Sequence, residues 1–249
     1  KLDETIRSKL IVTQGSEGAL HNNITYPVKK VEIKDVSGAG DTFIAGLATR
    51  FTETNSINES INFANGCATT VKYEEDKEIK GLILFKPEIF YDFRGEYINT
   101  YNTEGYKFIG NFVEDDFSIS RKNVLRGMHG DSETKKLIQC LHGSILLGVA
   151  DLRIDSPSYL KSRLYLLDDK NRHQVLVPEG CVNGHYVLTD TCIFSYKQTK
   201  LYTGAKNQIS VRYDDPWIKI PWGIKDPILS DRDSSAKFLK DMDKECRKL

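Results

Sequence analysis

Residues 136–151 read K-L-I-Q-C-L-H-G-S-I-L-L-G-V-A-D, two runs rich in apolar residues that meet at His142-Gly143. Each run has the length of a strand, and a polar residue followed by glycine is typical of a hairpin turn. We therefore predict strands at Lys136–Cys140 and Ser144–Asp151, with His142 in the turn. This hairpin indicates an all-β fold for the C-terminal part of the chain.

Other strand candidates flank the hairpin at intervals typical of a β-sandwich or barrel. They are Leu82–Phe85, Lys107–Glu114, Ser162–Leu167, His173–Val177, Tyr186–Leu188, Cys192–Gln198 and Ile209–Tyr213. The tail from Ser230 to Leu249 is charged and prone to form a helix. We expect one mainly β domain over residues 81–249.

The first 80 residues follow a different pattern, in which strands and helices alternate as in an α/β fold. The expected elements are strands at Leu10–Thr13 and within Ala19–Val31, and helices at Thr42–Phe51 and Ile57–Val71. The charged stretch Tyr73–Gly81 is typical of a linker. We therefore predict a small α/β domain over residues 1–80, before the β domain.

Composition excludes several classes of function for the 249-residue chain. Lys plus Arg and Asp plus Glu number 35 each, so no net charge favours nucleic acid or a membrane surface. No apolar run reaches the roughly 18 residues that span a bilayer, and the first residues lack a signal-peptide core. Five scattered cysteines without C-x-x-C spacing favour reduced thiols and a cytoplasmic location.

The segment D-V-S-G-A-G-D at 35–41 precedes an apolar helix, an arrangement that suits phosphate chemistry. Amides at Gly38 and Gly40 would bind an anion and Asp41 would accept a proton, although a tight turn explains the same letters. With N-F-A-N-G-C-A at 62–68, the stretch resembles the C-terminal part of ribokinase/PfkB sugar kinases, especially heptose-7-phosphate kinases. The resemblance covers about residues 5–75 and lacks the sugar-binding half. We expect no kinase activity.

The segment N-V-L-R-G-M-H-G-D at 123–131 carries the most chemical information. His129 follows the cationic Arg126 by three residues and lies between two glycines. Histidine titrates closest to neutrality, which suits a general base. A structural loop histidine is the alternative for this residue taken alone.

Ordered motifs on both sides of this segment resemble the dTDP-4-dehydrorhamnose 3,5-epimerase family of cupin-like proteins. They are F-Y-D-F-R-G at 90–95, K-K-L-I-Q at 135–139, V-A-D-L-R at 149–153, V-P-E-G at 177–180, F-S-Y-K at 194–197, Y-D-D-P at 213–216 and P-I-L-S-D-R-D at 227–233. The resemblance implies a jelly-roll β-sandwich with the ligand inside, a homodimer, and no cofactor or metal. It implies epimerisation at C3, C5 or both of a nucleotide-linked 4-keto-6-deoxy sugar.

The resemblance also implies roles for particular residues. His129 would remove a proton beside the ketone, Asp215 would orient its imidazole, and Tyr196 would return a proton on the opposite face. Asp214 rivals Asp215, and either carboxylate could instead be a turn residue before Pro216.

Three basic residues complete the expected site. Lys136 would offset charge on the enolate oxygen, and Arg94 and Arg126 would bind the diphosphate, because guanidinium suits phosphate oxygens. For Arg94 a surface ion pair is the alternative.

Two motifs depart from the rhamnose-pathway pattern. Where that pathway has G-L-H-F-Q the chain has G-M-H-G-D, and where it has A-H-G-F the chain has V-N-G-H at 182–185. Asn183 therefore replaces a histidine, and His185 appears two positions later. These variants resemble a branch that acts on GDP-4-keto-6-deoxy-heptoses in capsule or lipopolysaccharide synthesis. Gly130 in place of phenylalanine would open space for the longer sugar.

Four alternatives remain open from the sequence. A 3,4-ketoisomerase would use the same enolisation, and a dTDP-4-dehydrorhamnose 3,5-epimerase would act on the six-carbon sugar. A metal-dependent cupin commonly has an H-x-H ligand pair, which this sequence lacks. A sugar-nucleotide-binding or scaffold protein with a decayed site is the non-enzyme alternative.

Overall fold

The computed structural model describes residues 6, 8–27, 39–67, 72–102 and 106–242. The chain divides into two compact units, residues 1–72 with 87–110 and residues 73–86 with 111–249. The boundary expected at residue 80 lies within residues 73–86, which belong to the second unit. The division of the chain at residue 80 stays a prediction. Within the described ranges, no helix is both long enough and apolar enough to cross a membrane.

The first unit combines short strands with two helices. Its elements are β1 Ile11–Thr13, β2 Ala19–His21, β3 Ile24–Tyr26, α1 Ala39–Thr54, α2 Ile57–Cys67, β6 Ile89–Asp92 and β7 Gly95–Ile98. Strands β1, β2 and β3 form one antiparallel sheet, and β6 pairs with β7 as a hairpin. Phe43 and Ile61 pack with Tyr26 in its core. Both predicted helices are confirmed where the structure describes them.

The second unit is a sandwich of two largely antiparallel sheets. Its strands are β4 Lys72–Glu75, β5 Ile83–Lys86, β8 Glu114–Arg121, β9 Leu125–Gly130, β10 Lys136–His142, β11 Ser144–Asp151, β12 Ser162–Asp168, β13 Gln174–Val177, β14 Cys181–Val187, β15 Thr191–Gln198 and β16 Ile209–Ser210. The six-stranded sheet has the order β4-β5-β13-β10-β15-β8, and the five-stranded sheet has the order β12-β11-β14-β9-β16. This arrangement confirms the mainly β, jelly-roll prediction.

Alternating side chains bury both faces of the five-stranded sheet. In β11, Leu147 and Val149 pack in the core shared with the six-stranded sheet. Ala150 belongs to a second core, with Ile220 and Trp222 of the C-terminal segment. A Cβ at Gly148 would lie 2.6 Å from the Trp222 ring, so only glycine lets this segment pack so closely. Covering the outer face in this way leaves the inner face of the sheet to form the site.

Four expectations about elements are wrong. The strands expected at Lys136–Cys140 and Ser144–Asp151 are present, but they do not form a hairpin, because β10 lies in the six-stranded sheet and β11 in the five-stranded sheet. His142 is the last residue of β10 and not a turn residue. Lys107–Glu114 is not a strand, because it contains the 3₁₀ turn Lys107–Ile109 and only the first residue of β8. The charged stretch Tyr73–Gly81 is not a free linker, since part of it forms β4 and Asp76 accepts hydrogen bonds from Arg163 and Tyr165. The charged tail forms only the short helix α3, Asp231–Ser234, and one 3₁₀ turn within its described part.

Candidate active site

A cavity of about 460 Å³ lies between the two sheets of the second unit. Strands β9 and β14 line it on one side, and β8, β10 and β15 line it on the other. Residues 228–230, which precede α3, and Arg232 and Asp233 of α3 also contribute to the lining. A cavity of this size is ample for part of a sugar nucleotide.

His129 and Asp233 form a hydrogen-bonded pair at the cavity. His129 lies on β9 and its Nε2 is 2.6 Å from Oδ1 of Asp233. The Asp233 side chain is 4% exposed and that of His129 is 21% exposed, so the pair is largely shielded from water. The carboxylate can hold the imidazole in one orientation and stabilise its protonated form.

The surroundings of Asp233 keep its carboxylate charged. Burial opposes the charge, but the hydrogen bond and charge of His129 and the Gly127 N–H outweigh it and lower the pKa of Asp233 below its ordinary value. Its own backbone N–H donates to Oγ of Ser230, the residue that caps the N-terminus of α3. This cap fixes the direction in which the side chain of Asp233 points away from the helix.

The prediction that Asp215 orients His129 is wrong. Asp215 is buried, and its two oxygens accept hydrogen bonds from the backbone N–H groups of Trp217, Ile218 and Leu239. Its carboxylate therefore holds the turn at Trp217 and Ile218 and joins that turn to Leu239, and none of these hydrogen bonds involves His129. Its rival Asp214 pairs with Arg212 on the surface and does not contact His129.

Tyr196 and Lys136 lie across the cavity from β9, on neighbouring strands of the six-stranded sheet. Burial and the nearby Asp116 carboxylate raise the pKa of Tyr196 to about 12, so its hydroxyl keeps its proton at neutral pH. The Nζ atom of Lys136 is 5.8 Å from the centre of the Tyr196 ring. Burial lowers the pKa of Lys136, and the charge of Arg232 lowers it further.

Two arginines add positive charge to the cavity. Arg126 donates from Nε to Ser120, and Arg232 donates from Nε to Ser210. Sequence reasoning named Arg126 but missed Arg232 and Asp233, although the quoted motif P-I-L-S-D-R-D contains both. Arg94 lies in the β6–β7 hairpin of the first unit, with its guanidinium carbon 5.8 Å from the Phe93 ring centre. Its part in phosphate binding stays a prediction.

Asn183 and His185 both line the cavity from β14. The His185 ring stacks on Phe194 with centroids 3.8 Å apart and an angle of 10°. Burial, with the charges of Arg126 and His129, lowers the pKa of His185 to about 3, so this imidazole is neutral at neutral pH. It is therefore a polar but uncharged part of the wall.

The expectation that Gly130 opens space for a ligand is wrong. A Cβ at this position would lie 2.2 Å from the carbonyl oxygen of Cys181, because the backbone of β14 crosses there. The missing side chain makes room for β14 and not for a substrate. Any difference in sugar size must come from other residues.

The kinase-like motif belongs to the first unit. Gly38 lies outside the described residues, and Gly40 and Asp41 fall in the first turn of α1. Their predicted roles stay predictions. In the described ranges, no group of three or more His, Cys, Asp or Glu side chains is placed to hold a metal ion.

Two family models match the two parts of the chain. The family model described as dTDP-4-dehydrorhamnose 3,5-epimerase matches residues 76–241, and the model of pfkB family carbohydrate kinases matches residues 1–75. A dTDP-4-dehydrorhamnose 3,5-epimerase of Methanothermobacter thermautotrophicus is 34% identical over 171 residues, which cover 66% of this chain and 92% of the relative. One from Shigella flexneri is 32% identical and covers 67% of this chain and 95% of the relative.

Solved structures are similar in fold as well. A dTDP-6-deoxy-D-glucose-3,5-epimerase from Legionella pneumophila, in complex with dTDP-4-keto-L-rhamnose, superposes with a TM-score of 0.66 at 31% identity and covers 70% of this chain and 97% of that one. A dTDP-4-dehydrorhamnose 3,5-epimerase from Bacillus anthracis, with TDP and pyrophosphate bound, has a TM-score of 0.64 at 34% identity, with 68% and 99% covered. The chain therefore belongs to the dTDP-4-dehydrorhamnose 3,5-epimerase family of isomerases.

Proposed function

We propose that the second unit epimerises C3, C5 or both of a nucleotide-diphosphate-linked 4-keto-6-deoxy sugar. One observation carries the proposal: the His129–Asp233 pair and the protonated Tyr196 line the same cavity from opposite sheets. A base on one wall and an acid on the other suit removal of a proton from one face of the sugar and its return to the other.

The chemistry follows from the acidity of a C–H bond beside a ketone. His129 removes the proton from C3 or C5, and the electron pair moves to the C4 oxygen as an enolate. Asp233 stabilises the imidazolium formed, and Lys136 offsets the enolate charge. Tyr196 then donates its proton to the opposite face of the same carbon and the ketone re-forms. The imidazolium proton passes through solvent to the tyrosinate, so no atom is gained or lost.

Positive charge in the cavity supports a diphosphate as the anchor of the substrate. Three basic residues line the cavity: Arg126, Lys136 and Arg232. The carboxylate of Asp233, which also lines it, is hydrogen-bonded to His129. Arginine binds phosphate oxygens well because its guanidinium presents several N–H donors in one plane.

For the sugar, we propose a GDP-linked 4-keto-6-deoxy-heptose of capsule or lipopolysaccharide synthesis. Three features support it: the resemblance of the G-M-H-G-D and V-N-G-H variants to that branch, the polar Asn183 and His185 in the cavity wall, and the resemblance of the 35–41 and 62–68 motifs to heptose kinases. Residues 1–75, which contain those motifs, match pfkB family carbohydrate kinases. We expect no kinase activity from that segment, and a cytoplasmic location stays a prediction.

Solvent exchange tests the reaction directly. In deuterated water the enzyme should place deuterium at C3 or C5 of the sugar while NMR still shows the ketone at C4. A product with the ketone at C3 would instead establish a 3,4-ketoisomerase. A protein that binds the sugar nucleotide without exchange would support the binding or scaffold alternative.

The nucleotide is tested by thermal unfolding with GDP, dTDP, UDP and CDP. A ligand present at about one hundred times its dissociation constant stabilises a protein by about 2.7 kcal/mol. We expect the largest rise in melting temperature with GDP. A preference for dTDP would refute the heptose branch and favour dTDP-4-dehydrorhamnose as substrate.

We also propose that the chain forms a homodimer through the edge of its six-stranded sheet. Strand β8 lies at that edge, and Phe117 and Ile119 on it are exposed. Exposed apolar residues on an unpaired edge favour association with another chain. Light scattering after size-exclusion chromatography should give the mass of two chains, and Ile119→Asp should give that of one. A monomeric wild-type protein would refute the proposal.

A further inference from the structure

Buried polar atoms without a hydrogen-bond partner concentrate at the cavity. Within the described ranges, the atoms Ser118 Oγ, Gln198 Nε2, Asn183 Oδ1 and His185 Nε2 have no partner, and all four residues line it. Buried polar groups are nearly always paired in folded proteins, because an unpaired one costs stability. Such atoms around one cavity point to a ligand that supplies their partners.

Two of these residues, Asn183 and His185, lie side by side on the wall that carries His129. They point to the same face of β14, two residues apart, and Asn183 is paired in register with His129 on β9. Asn183 is 9% exposed and His185 is 3% exposed, so water does not replace the missing partners of their polar atoms, which costs stability. A group bound by both would therefore lie beside the base.

The orientation of His185 is set by packing rather than by its polar atoms. Its ring stacks on Phe194, and Phe194 in turn contacts the ring of Tyr196 at 5.6 Å between centroids. Phenylalanine would fill the same stacked position. The imidazole therefore adds nothing to packing that phenylalanine lacks, except a nitrogen that can hydrogen-bond. Because burial lowers the pKa of His185 to about 3, this imidazole is a weak base and does not compete with His129 for the proton of the substrate.

We propose that Asn183 and His185 determine specificity by binding the terminal hydroxyl of the side chain on C5 of a seven-carbon sugar. This inference rests on the proposed function. A 4-keto-6-deoxy-hexose carries only a methyl group on C5, whereas the corresponding 6-deoxy-heptose carries a hydroxyethyl group. Its hydroxyl donates to Oδ1 of Asn183 and hydrogen-bonds Nε2 of His185. A site built around a hydroxyl discriminates against the analogue that lacks it, because its own polar atoms then stay unpaired.

The test compares two substrates and three variants. The probes are the GDP-4-keto-6-deoxy-heptose and the GDP-4-keto-6-deoxy-hexose, and the readout is the ratio of their kcat/KM values for deuterium exchange. His185→Phe keeps the stacked ring and removes the nitrogen, and His185→Gln restores a hydrogen-bonding group. His142→Phe makes the same change at the exposed end of β10. Wild type and His142→Phe should share one ratio in favour of the heptose.

We expect His185→Phe to lower the heptose-to-hexose ratio of kcat/KM about tenfold. This is the effect of losing one hydrogen bond to a buried partner. His185→Gln should recover part of the ratio. His185→Phe should also raise the melting temperature without ligand, because it removes a buried unpaired atom. A residue needed only for structure would lower the melting temperature and affect both substrates equally.

Two results would overturn the inference. If His185→Phe leaves the ratio unchanged while wild type exchanges deuterium with both sugars, the proposed function stands and the specificity role fails. If kcat/KM falls equally for both sugars, the pair contacts a hydroxyl common to them and the assignment to the C5 side chain is wrong. If wild type exchanges with neither sugar, the proposed function and this inference fail together.

Discussion

Replacing Asp233 by asparagine tests the reasoning about the site most directly. The change keeps the shape of the side chain but removes the charge that lies 2.6 Å from Nε2 of His129. In the reaction His129 becomes an imidazolium, so the carboxylate stabilises the charged state more than the resting enzyme. We therefore expect Asp233→Asn to slow proton removal without unfolding the protein.

The size of the effect follows from Coulomb's law. At 2.6 Å two opposite unit charges attract by about 6 kcal/mol at an effective dielectric constant of roughly 20, and by about 1.6 kcal/mol in bulk water. Because Asp233 is buried and His129 is only partly exposed, we take about 4 kcal/mol. Each 1.36 kcal/mol is a factor of about ten in rate, so exchange should fall on the order of a thousandfold.

The assay follows the loss of the C3 or C5 proton signal by NMR in deuterated water, normalised to folded protein by circular dichroism. Asp215→Asn is the matched control. Its buried carboxylate accepts three backbone N–H groups, and an amide would turn a donor toward one of them. We expect it to lose about 1–3 kcal/mol of unfolding free energy in urea but to keep its exchange rate. The opposite pattern, with exchange lost in a folded Asp215→Asn and kept in Asp233→Asn, would refute the site described above.

Three further outcomes are expected. Tyr196→Phe should keep deuterium exchange by His129 but lower the rate at which inverted sugar forms by roughly 10²–10⁴; an unchanged rate would exclude Tyr196 as the acid. Gly130→Ala should lower the unfolding free energy in urea by about 1–3 kcal/mol or more, because a Cβ would lie 2.2 Å from the Cys181 carbonyl oxygen, and unaltered stability would contradict this close approach. Since the pKa of Asp233 is lowered, its contribution to stability is full above about pH 4, the range of an unfolded aspartate, and is lost as pH falls through the folded value. Thermal unfolding should therefore show a shallower loss below about pH 4 for Asp233→Asn than for wild type, and parallel curves would contradict the lowered pKa.

Local sequence patterns were sufficient for much of the fold. The strands on either side of Gly143 are predicted correctly, because each strand-forming run is continuous in the chain. Their pairing as a hairpin is wrong, since β10 and β11 pair with strands of two different sheets. Strand β8 was largely missed because acidic residues occupy its start. Its pairing partner β15 is also distant from it in the sequence. Helix α2 follows from the helical spacing of Ile57, Ile61 and Ala64, which is again a local property.

The partner of His129 shows why the rest could not be read from the chain. Asp215 and Asp233 are both acidic residues in quoted C-terminal motifs, and nothing local to either says which one reaches β9. The choice depends on how the chain returns over a separation of 104 residues to begin α3 beside Gly127 and His129. Only the folded chain distinguishes a carboxylate that holds a turn from one that holds the imidazole.

The sequence alone determined the fold class, the family and the presence of His129, Tyr196 and Lys136 in one site, because ordered motifs and strand-forming runs are written in neighbouring residues. Tertiary structure decided that Asp233 pairs with His129, that β14 fills the space at Gly130, and that Asn183 and His185 present unpaired atoms to the cavity. These contacts join strands that are distant in sequence. They depend on packing distances of a few ångströms, which no local pattern of residues encodes.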